Sequence, residues 1–341
     1  MTNLPSAEHL LDLRQLYQTD VSPNDRRWKY FTTGPEKAII LPSEIPPVLF
    51  RGQTARYPMT YSAMGRDLWP ASGPSSITGL SLDGVALLAT RLIRRLWFCE
   101  ALSDHPGSAW FTEQKLQGFE FALAQHYGVP TGYVDLSESF DVSCFFATCR
   151  MDAASGEWRP CTEGCGVMYL LPIDRIPIRP EVLQPIGLQM LPRPCEQFGW
   201  VIVCGIDTDF ESLPGLEMFE FAHSEAVSRI FLDQFDQGRS LFPPDSMADV
   251  ADRIVKSRTL PKALAESVAQ ALCEQTEGLQ FDATNILTAI EGRLDLRLHE
   301  RLEIFDARLR DRAEREWGER SRDFLRNVGF SIIIERPDDD A

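Results

Sequence analysis

The stretch Leu123–Ala147, LAQHYGVPTGYVDLSESFDVSCFFA, limits what this chain can fold into more than any other segment. Gly128-Val129-Pro130 ends a helix, because proline has no N–H to donate and glycine admits the left-handed turn that closes one. Gly132–Leu136 then reads as a short strand, and Asp141–Arg150 as a buried helix. Val142, Phe145, Phe146 and Cys149 fall at i, i+3, i+4 and i+7 of that helix. The polar residues Gln125, His126, Thr131, Asp135, Ser137 and Glu138 gather at the turns, while apolar residues fill the elements. A second polar tetrad, Phe50-Arg51-Gly52-Gln53, closes the apolar strand that starts at Val48. Together the two segments have the composition of a site.

Periodicity places the other elements. His9–Tyr17 reads as a short helix docked on the main domain. Leu82–Glu100 reads as a helix with Val85, Leu88, Leu92 and Leu96 on one face. Thr112–Tyr127 reads as one helix with Leu116, Phe119 and Leu123 as its seam. Val167–Pro172 and Trp200–Gly205 are apolar and β-branched, hence strands, and Phe219–Phe221 and Ser228–Leu232 are further strand candidates. Residues 152–165 form a loop bearing Gly and Trp. Beyond Ser246 the chain turns helix-rich and densely charged. Ile290, Leu294, Leu298, Leu302, Phe305 and Leu309 step by four or three, which predicts an amphipathic helix continuing to Arg326. Phe330–Glu335 is β-like. The expected architecture is α+β: an N-terminal extension (1–45), a mixed domain with a largely antiparallel sheet flanked by helices (46–245), and a helical C-terminal region (246–341).

Charge and length narrow the function. Net charge is −16 over 341 residues, which repels a free phosphodiester backbone and argues against non-specific nucleic-acid binding. No apolar run is long enough to span a bilayer, and the first fifteen residues lack a basic region followed by an apolar core. A cytoplasmic protein without membrane contact is therefore expected. Among the eight cysteines the closest pairs are Cys161-x3-Cys165 and Cys144-x4-Cys149. Cys144 and Cys149 lie within an apolar helix pattern, so reduced buried thiols, and no metal site, are expected.

The candidate site residues have distinct chemistries. Arg51, just past a strand, can aim a planar, permanently charged fork at a phosphate or carboxylate. Gly52 would let a ligand approach the backbone. His126 ends a helix; Asp135 and Ser137 end a strand. Arg193-x3-Gln197-x-Gly199 precedes Trp200–Gly205, so Glu196 and Gln197 lie at a strand entrance, and period-two alternation puts one of them on the side of Arg51.

These residues resemble the FRG domain family. Phe50-Arg51-Gly52-Gln53, with Arg66 downstream, resembles the motif after which FRG domains are named. Ala124–Thr131 resembles that family's Gln-His-x-Gly-x-Pro-Thr. Asp135–Ser139 with Phe145-Phe146-Ala147 resembles its Asp-Trp-Thr-x-Ser and following helix, and Arg193–Gly199 its Arg-x3-Gln-x-Gly. The sequence departs where Gly132 replaces the usual Arg and Leu136-Ser137 the usual Trp-Thr. The resemblance implies a protein of bacteria or their phages.

The order Arg, then strand-Ser, then Glu or Gln is in turn similar to the layout of ADP-ribosyltransferases. That likeness implies an ADP-ribosyltransferase-like fold and NAD as substrate, in a transferase or glycohydrolase with a defence or toxin role. Arg51, Gly52, Gln53, His126, Thr131 and Asp135 would bind the nucleotide, and Ser137, Glu196 and Gln197 would carry the chemistry. A rival expectation is a non-catalytic nucleotide sensor or interaction module, with a protein partner or second copy held through the C-terminal helix.

Overall fold

The computed structural model describes residues 4–17, 28–34, 37–69, 76–116, 118–178, 181–300 and 302–330. Helix α1 (Glu8–Tyr17) precedes a hairpin of β1 (Trp28–Gly34) and β2 (Lys37–Pro42), and β3 (Val48–Gln53) carries the first polar tetrad. Three helices follow: α2 (Leu82–Ser103), whose N-cap Ser81 accepts from Gly84 N–H, then α3 (Pro106–Glu113) and α4 (Glu120–His126). The Leu123–Ala147 stretch folds as the end of α4, strand β4 (Tyr133–Ser137) and helix α5 (Phe140–Thr148), which Ser139 caps by accepting from Val142 N–H. The chain then forms the ribbon β5 (Cys149–Met151) and β6 (Trp158–Pro160), followed by β7 (Cys165–Pro172), β8 (Leu183–Pro185), the single turn α6 (Arg193–Glu196), β9 (Gly199–Val203), β10 (Glu217–Ala222) and α7 (Glu225–Gln234).

Six strands make the main sheet in the order β10-β7-β3-β4-β9-β8, each neighbouring pair antiparallel. Alternation sends successive residues of β3 to opposite faces. Phe50 joins Phe140, Phe145 and Phe231 under α5 and α7, while Leu49 joins Val134, Tyr169, Trp200 and Phe210 on the other face. Helix α1 closes the first layer through buried Leu10 and an Arg14–Asp141 ion pair of 2.7 Å.

The C-terminal residues form α8 (Ser246–Lys256), β11 (Thr259–Pro261), α9 (Lys262–Gln275), α10 (Ala283–Gly292), β12 (Arg297–His299), α11 (Ala307–Asn327) and β13 (Val328–Phe330). These helices wrap α2: Val85, Ala89, Ile93 and Trp97 share one core with Val250, Val268, Ile286 and Leu309. β13 returns to pair in parallel with β1. Among the described residues no helix is long and apolar enough to cross a membrane.

Five expectations about elements need correction. The helix read to Arg150 ends at Thr148, and with the loop read over 152–165 it gives a ribbon, Cys149–Met151 paired with Trp158–Pro160. The single helix over 112–127 is two, because the backbone reverses at Lys115 (φ +56°) and Leu116 bridges to Ala38. Ser228–Leu232 belongs to helix α7. Its buried residues Val227, Ser228, Phe231 and Leu232 follow helical spacing, and a short apolar run does not distinguish the two periods. The repeat from Ile290 to Leu309 is interrupted: α10 stops at Gly292, Asp295 takes φ +51°, and Asp306 caps a new helix by accepting from Leu309 N–H. Of Phe330–Glu335, Phe330 ends β13 and the remainder lies outside the described residues. The apolar seam of α11, with Leu309, Ala313, Trp317 and Phe324, packs inside the chain against α3 and α8.

Candidate functional site

The cleft arises from a fault in the sheet. β3 pairs with β7 from Val48↔Pro172 to Gln53↔Val167, and β4 pairs with β9 from Tyr133↔Val203 to Ser137↔Gly199. β3 and β4 pair with each other at one position, Phe50↔Ser137. Past that rung the strands part and leave a cleft of about 450 Å³, within the usual size of a ligand pocket. Arg51 spans the opening and donates to the Asp135 carbonyl at 2.8 Å. The Arg51 guanidinium lies over the Phe210 ring at 5.9 Å. Burial draws its pKa below the ordinary arginine value, and Asp135 opposes that shift.

The turn residues form a continuous polar chain behind this opening. Thr131 Oγ1 accepts from Tyr133 N–H and donates to Gln125 Oε1 at 2.7 Å, and Gln125 Nε2 donates to Asp135 Oδ2 at 3.0 Å. On the other side Gln197 Nε2 donates to the Leu241 carbonyl at 2.9 Å. Its Oε1 therefore faces His126 Nδ1, at 2.9 Å, as an acceptor, which assigns the Nδ1 proton. His126 Nε2 then lies 3.4 Å from Asp135 Oδ1, at ion-pair distance when the ring carries both protons. Among the described residues Arg51 Nε, His126 Nε2 and Asp135 Oδ1 are buried polar atoms without a hydrogen-bond partner. Unpaired buried groups are costly, and all three belong to residues that line the cleft.

Of the nine residues singled out in the sequence, Arg51, Gly52, Gln53, His126, Asp135, Ser137 and Gln197 line the cleft, although they come from four separate segments. Thr131 and Glu196 do not. Thr131 is fully buried and supports Asp135 through Gln125. Glu196 is the last residue of α6, set away from the lining, where burial pushes its carboxyl pKa up and Arg320 opposes the shift. Of the pair at the strand entrance, Gln197 is thus the one at the cleft.

Three residues there have local roles. Gly52 faces α5, and a Cβ there would collide with the Ser143 carbonyl and sit 2.6 Å from Ala147 N. The close approach that demands glycine is by a helix, not by a ligand. Ser137 Oγ donates to the Gln197 carbonyl at 2.8 Å and accepts from Ser139 N–H at 3.0 Å, so its hydroxyl is already engaged. Gln53 is buried, with the Tyr169 hydroxyl 3.5 Å from its Oε1.

The lining includes further residues. Arg66 and Arg150 are exposed cations whose side chains make no ion pair or hydrogen bond among the described residues. Tyr57, Phe146, Met151 and Trp158 add aromatic and apolar surface. The motif resemblance marks Arg66; Phe146 and Arg150 fall in the predicted helix Asp141–Arg150 and Trp158 in the predicted loop 152–165, while Tyr57 and Met151 fall in no predicted element. Cys149 also lines the cleft, but its thiol donates to the Ser228 carbonyl and burial pushes its pKa up to about 12, which makes it a poor nucleophile. No three His, Cys, Asp or Glu side chains are grouped as metal ligands among the described residues.

Comparison with known proteins gives a match to one family. Residues 46–156 match the model of the FRG domain, covering β3, the Leu123–Ala147 stretch and most of the cleft lining. Arg193–Gly199 lies beyond the matched residues. No curated protein and no solved structure matches the chain.

Proposed function

We propose, from the premise that this chain carries an FRG domain at residues 46–156, that its cleft binds an anionic nucleotide, with NAD the first to test. The observation that carries the reading is charge. Arg51, Arg66 and Arg150 converge on one cleft in a chain of net charge −16. Isolated cations on an acidic protein find carboxylate partners readily; two of these three have none among the described residues, which leaves them for an outside anion. Arg51 and Arg66 take the phosphate oxygens, and the aromatic part of the lining takes the ring.

Turnover of NAD, as an ADP-ribosyltransferase or glycohydrolase, needs a carboxylate near the carbon that becomes cationic as nicotinamide leaves. Glu196 is set away from the lining, so in this reading Asp135, oriented by Gln125, takes that part. One observation favours the alternative of a non-catalytic sensor. The Gln197 amide and the Ser137 hydroxyl, two of the three groups assigned to chemistry, are bonded to the protein itself.

Calorimetric titration of the full chain with NAD and ADP-ribose tests the binding, and nicotinamide release tests turnover. Binding lost in Arg66→Ala supports the cleft; binding with no nicotinamide release supports the sensor. Failure of every nucleotide to bind would overturn both.

A further inference from the structure

Beyond the strands that hold the polar motif, the cleft has a second wall, formed by the β5–β6 ribbon. We propose that the β5–β6 ribbon is the recognition element for the ligand's planar ring, with Trp158 and Met151 as its contact surface. The inference rests on the nucleotide reading above and assigns the orientation of the ligand: phosphate at Arg51 and Arg66, base against the ribbon.

Three features support it. The ribbon's Met151 and Trp158 are cross-strand partners, and both line the cleft. Paired residues on an antiparallel ribbon present side chains to the same face, so thioether and indole form one continuous apolar surface. Met151 is 51% exposed although it is large and apolar, and it points to the cleft rather than joining the aromatic cluster behind it.

The indole is also held in advance of any ligand. Trp158 stacks on Phe242 with ring centroids 5.2 Å apart and an interplanar angle of 24°. Phe145, at 4.8 Å and 58°, fixes its edge. Gly238 takes φ +85°, and a Cβ at that position would overlap the Trp158 ring, so the chain uses glycine where the indole is seated. A ring fixed in this way loses little freedom when a base is laid against it.

Charge then sets the chemistry of what the wall receives. Arg150 and Arg159 are opposite one another on the ribbon. Arg159 is paired with Asp152 at 3.3 Å, whereas Arg150 lines the cleft with no partner among the described residues. The cleft therefore joins the ribbon's apolar plane to the cations Arg51, Arg66 and Arg150, which suits an aromatic base attached to anionic groups and does not suit a bare inorganic anion. Sulfur and indole both adapt to any flat π-face, so the ribbon selects for a ring without distinguishing one base from another.

The test compares ADP with pyrophosphate by calorimetric titration of the full chain. ADP should bind the unaltered protein on the order of tenfold more tightly than pyrophosphate, given the usual gain from stacking a base on an aromatic side chain. Trp158→Leu should remove most of that advantage and leave pyrophosphate unchanged. Because Trp158 also packs against Phe242 and Phe145, Met151→Ser provides a second arm at a half-exposed position. It should weaken ADP severalfold, again without affecting pyrophosphate. If both ligands bind equally, or if each variant weakens both to the same extent, the ribbon does not read the ring and the proposal falls while the anion site stands. If neither ligand binds, the nucleotide reading falls as well.

Discussion

His105, which is not among the cleft-lining residues, should make the stability of this protein depend steeply on pH. It caps α3 through Nδ1, which accepts from Gly107 N–H at 3.1 Å, and it is buried with its ring 6.4 Å from that of Trp317 on α11. Burial, with the positive field of Arg320 as the second cause, lowers its pKa from 6.5 to about 4. The folded chain therefore refuses a proton that the unfolded chain accepts below about pH 6.5. The stability that rests on the neutral ring is complete above that value and declines as pH falls toward 4. It levels off below the folded pKa, where both states are protonated. At about 1.4 kcal/mol per pH unit, the difference between 6.5 and about 4 corresponds to roughly 3 kcal/mol. His105→Asn keeps a side-chain oxygen for the cap and removes the titration. Urea unfolding of both proteins, followed by far-ultraviolet circular dichroism from about pH 7 to pH 4, isolates the term, since carboxylates common to both cancel. The stability of the native protein relative to His105→Asn should fall by about 3 kcal/mol across that range. Parallel curves would refute the reasoning.

Other perturbations test the cleft and its supports. Gly52→Ala should cost at least about 3 kcal/mol, because the added methyl group meets α5 backbone that cannot retreat; a thermal melt within a few degrees of the native one would contradict this. Gln197→Leu leaves the Leu241 carbonyl and His126 Nδ1 without partners and should destabilise by about 1–3 kcal/mol in urea unfolding. Glu196→Gln should leave nucleotide affinity unchanged within twofold by titration calorimetry, since that carboxyl is outside the lining. Cys149 should react slowly with a thiol reagent until the protein is unfolded, because burial pushes its pKa up to about 12; rapid modification of the native chain at neutral pH would show otherwise.

The parts of the fold that were legible in the sequence are those where one local rule acts alone. Val167–Pro172 is buried on both faces and had to be a continuous apolar run, and it forms the core of β7. Gly128-Val129-Pro130 ends α4 as its chemistry requires, with Gly128 at φ +78°. Other elements depend on distant partners. Lys115 breaks the 112–127 pattern where Ala38 N–H donates to its carbonyl, and nothing near Lys115 in sequence reveals that contact. At the site, two segments of shared polar composition hold six of the cleft residues, Arg51, Gly52, Gln53, His126, Asp135 and Ser137. Alternation alone could not choose between Glu196 and Gln197, since a single helical turn stands where a strand entrance was expected. Arg150, Met151 and Trp158 were missed because a short ribbon has too few residues to show a period of two.

The single rung between β3 and β4 has a mechanical consequence. It divides the six strands into two triplets, β10-β7-β3 and β4-β9-β8, and the guanidinium of Arg51 serves as a second tie across the seam by reaching the Asp135 carbonyl. Whatever bids for that guanidinium bids against the joint between the two halves, so occupancy and sheet integrity draw on the same five N–H groups.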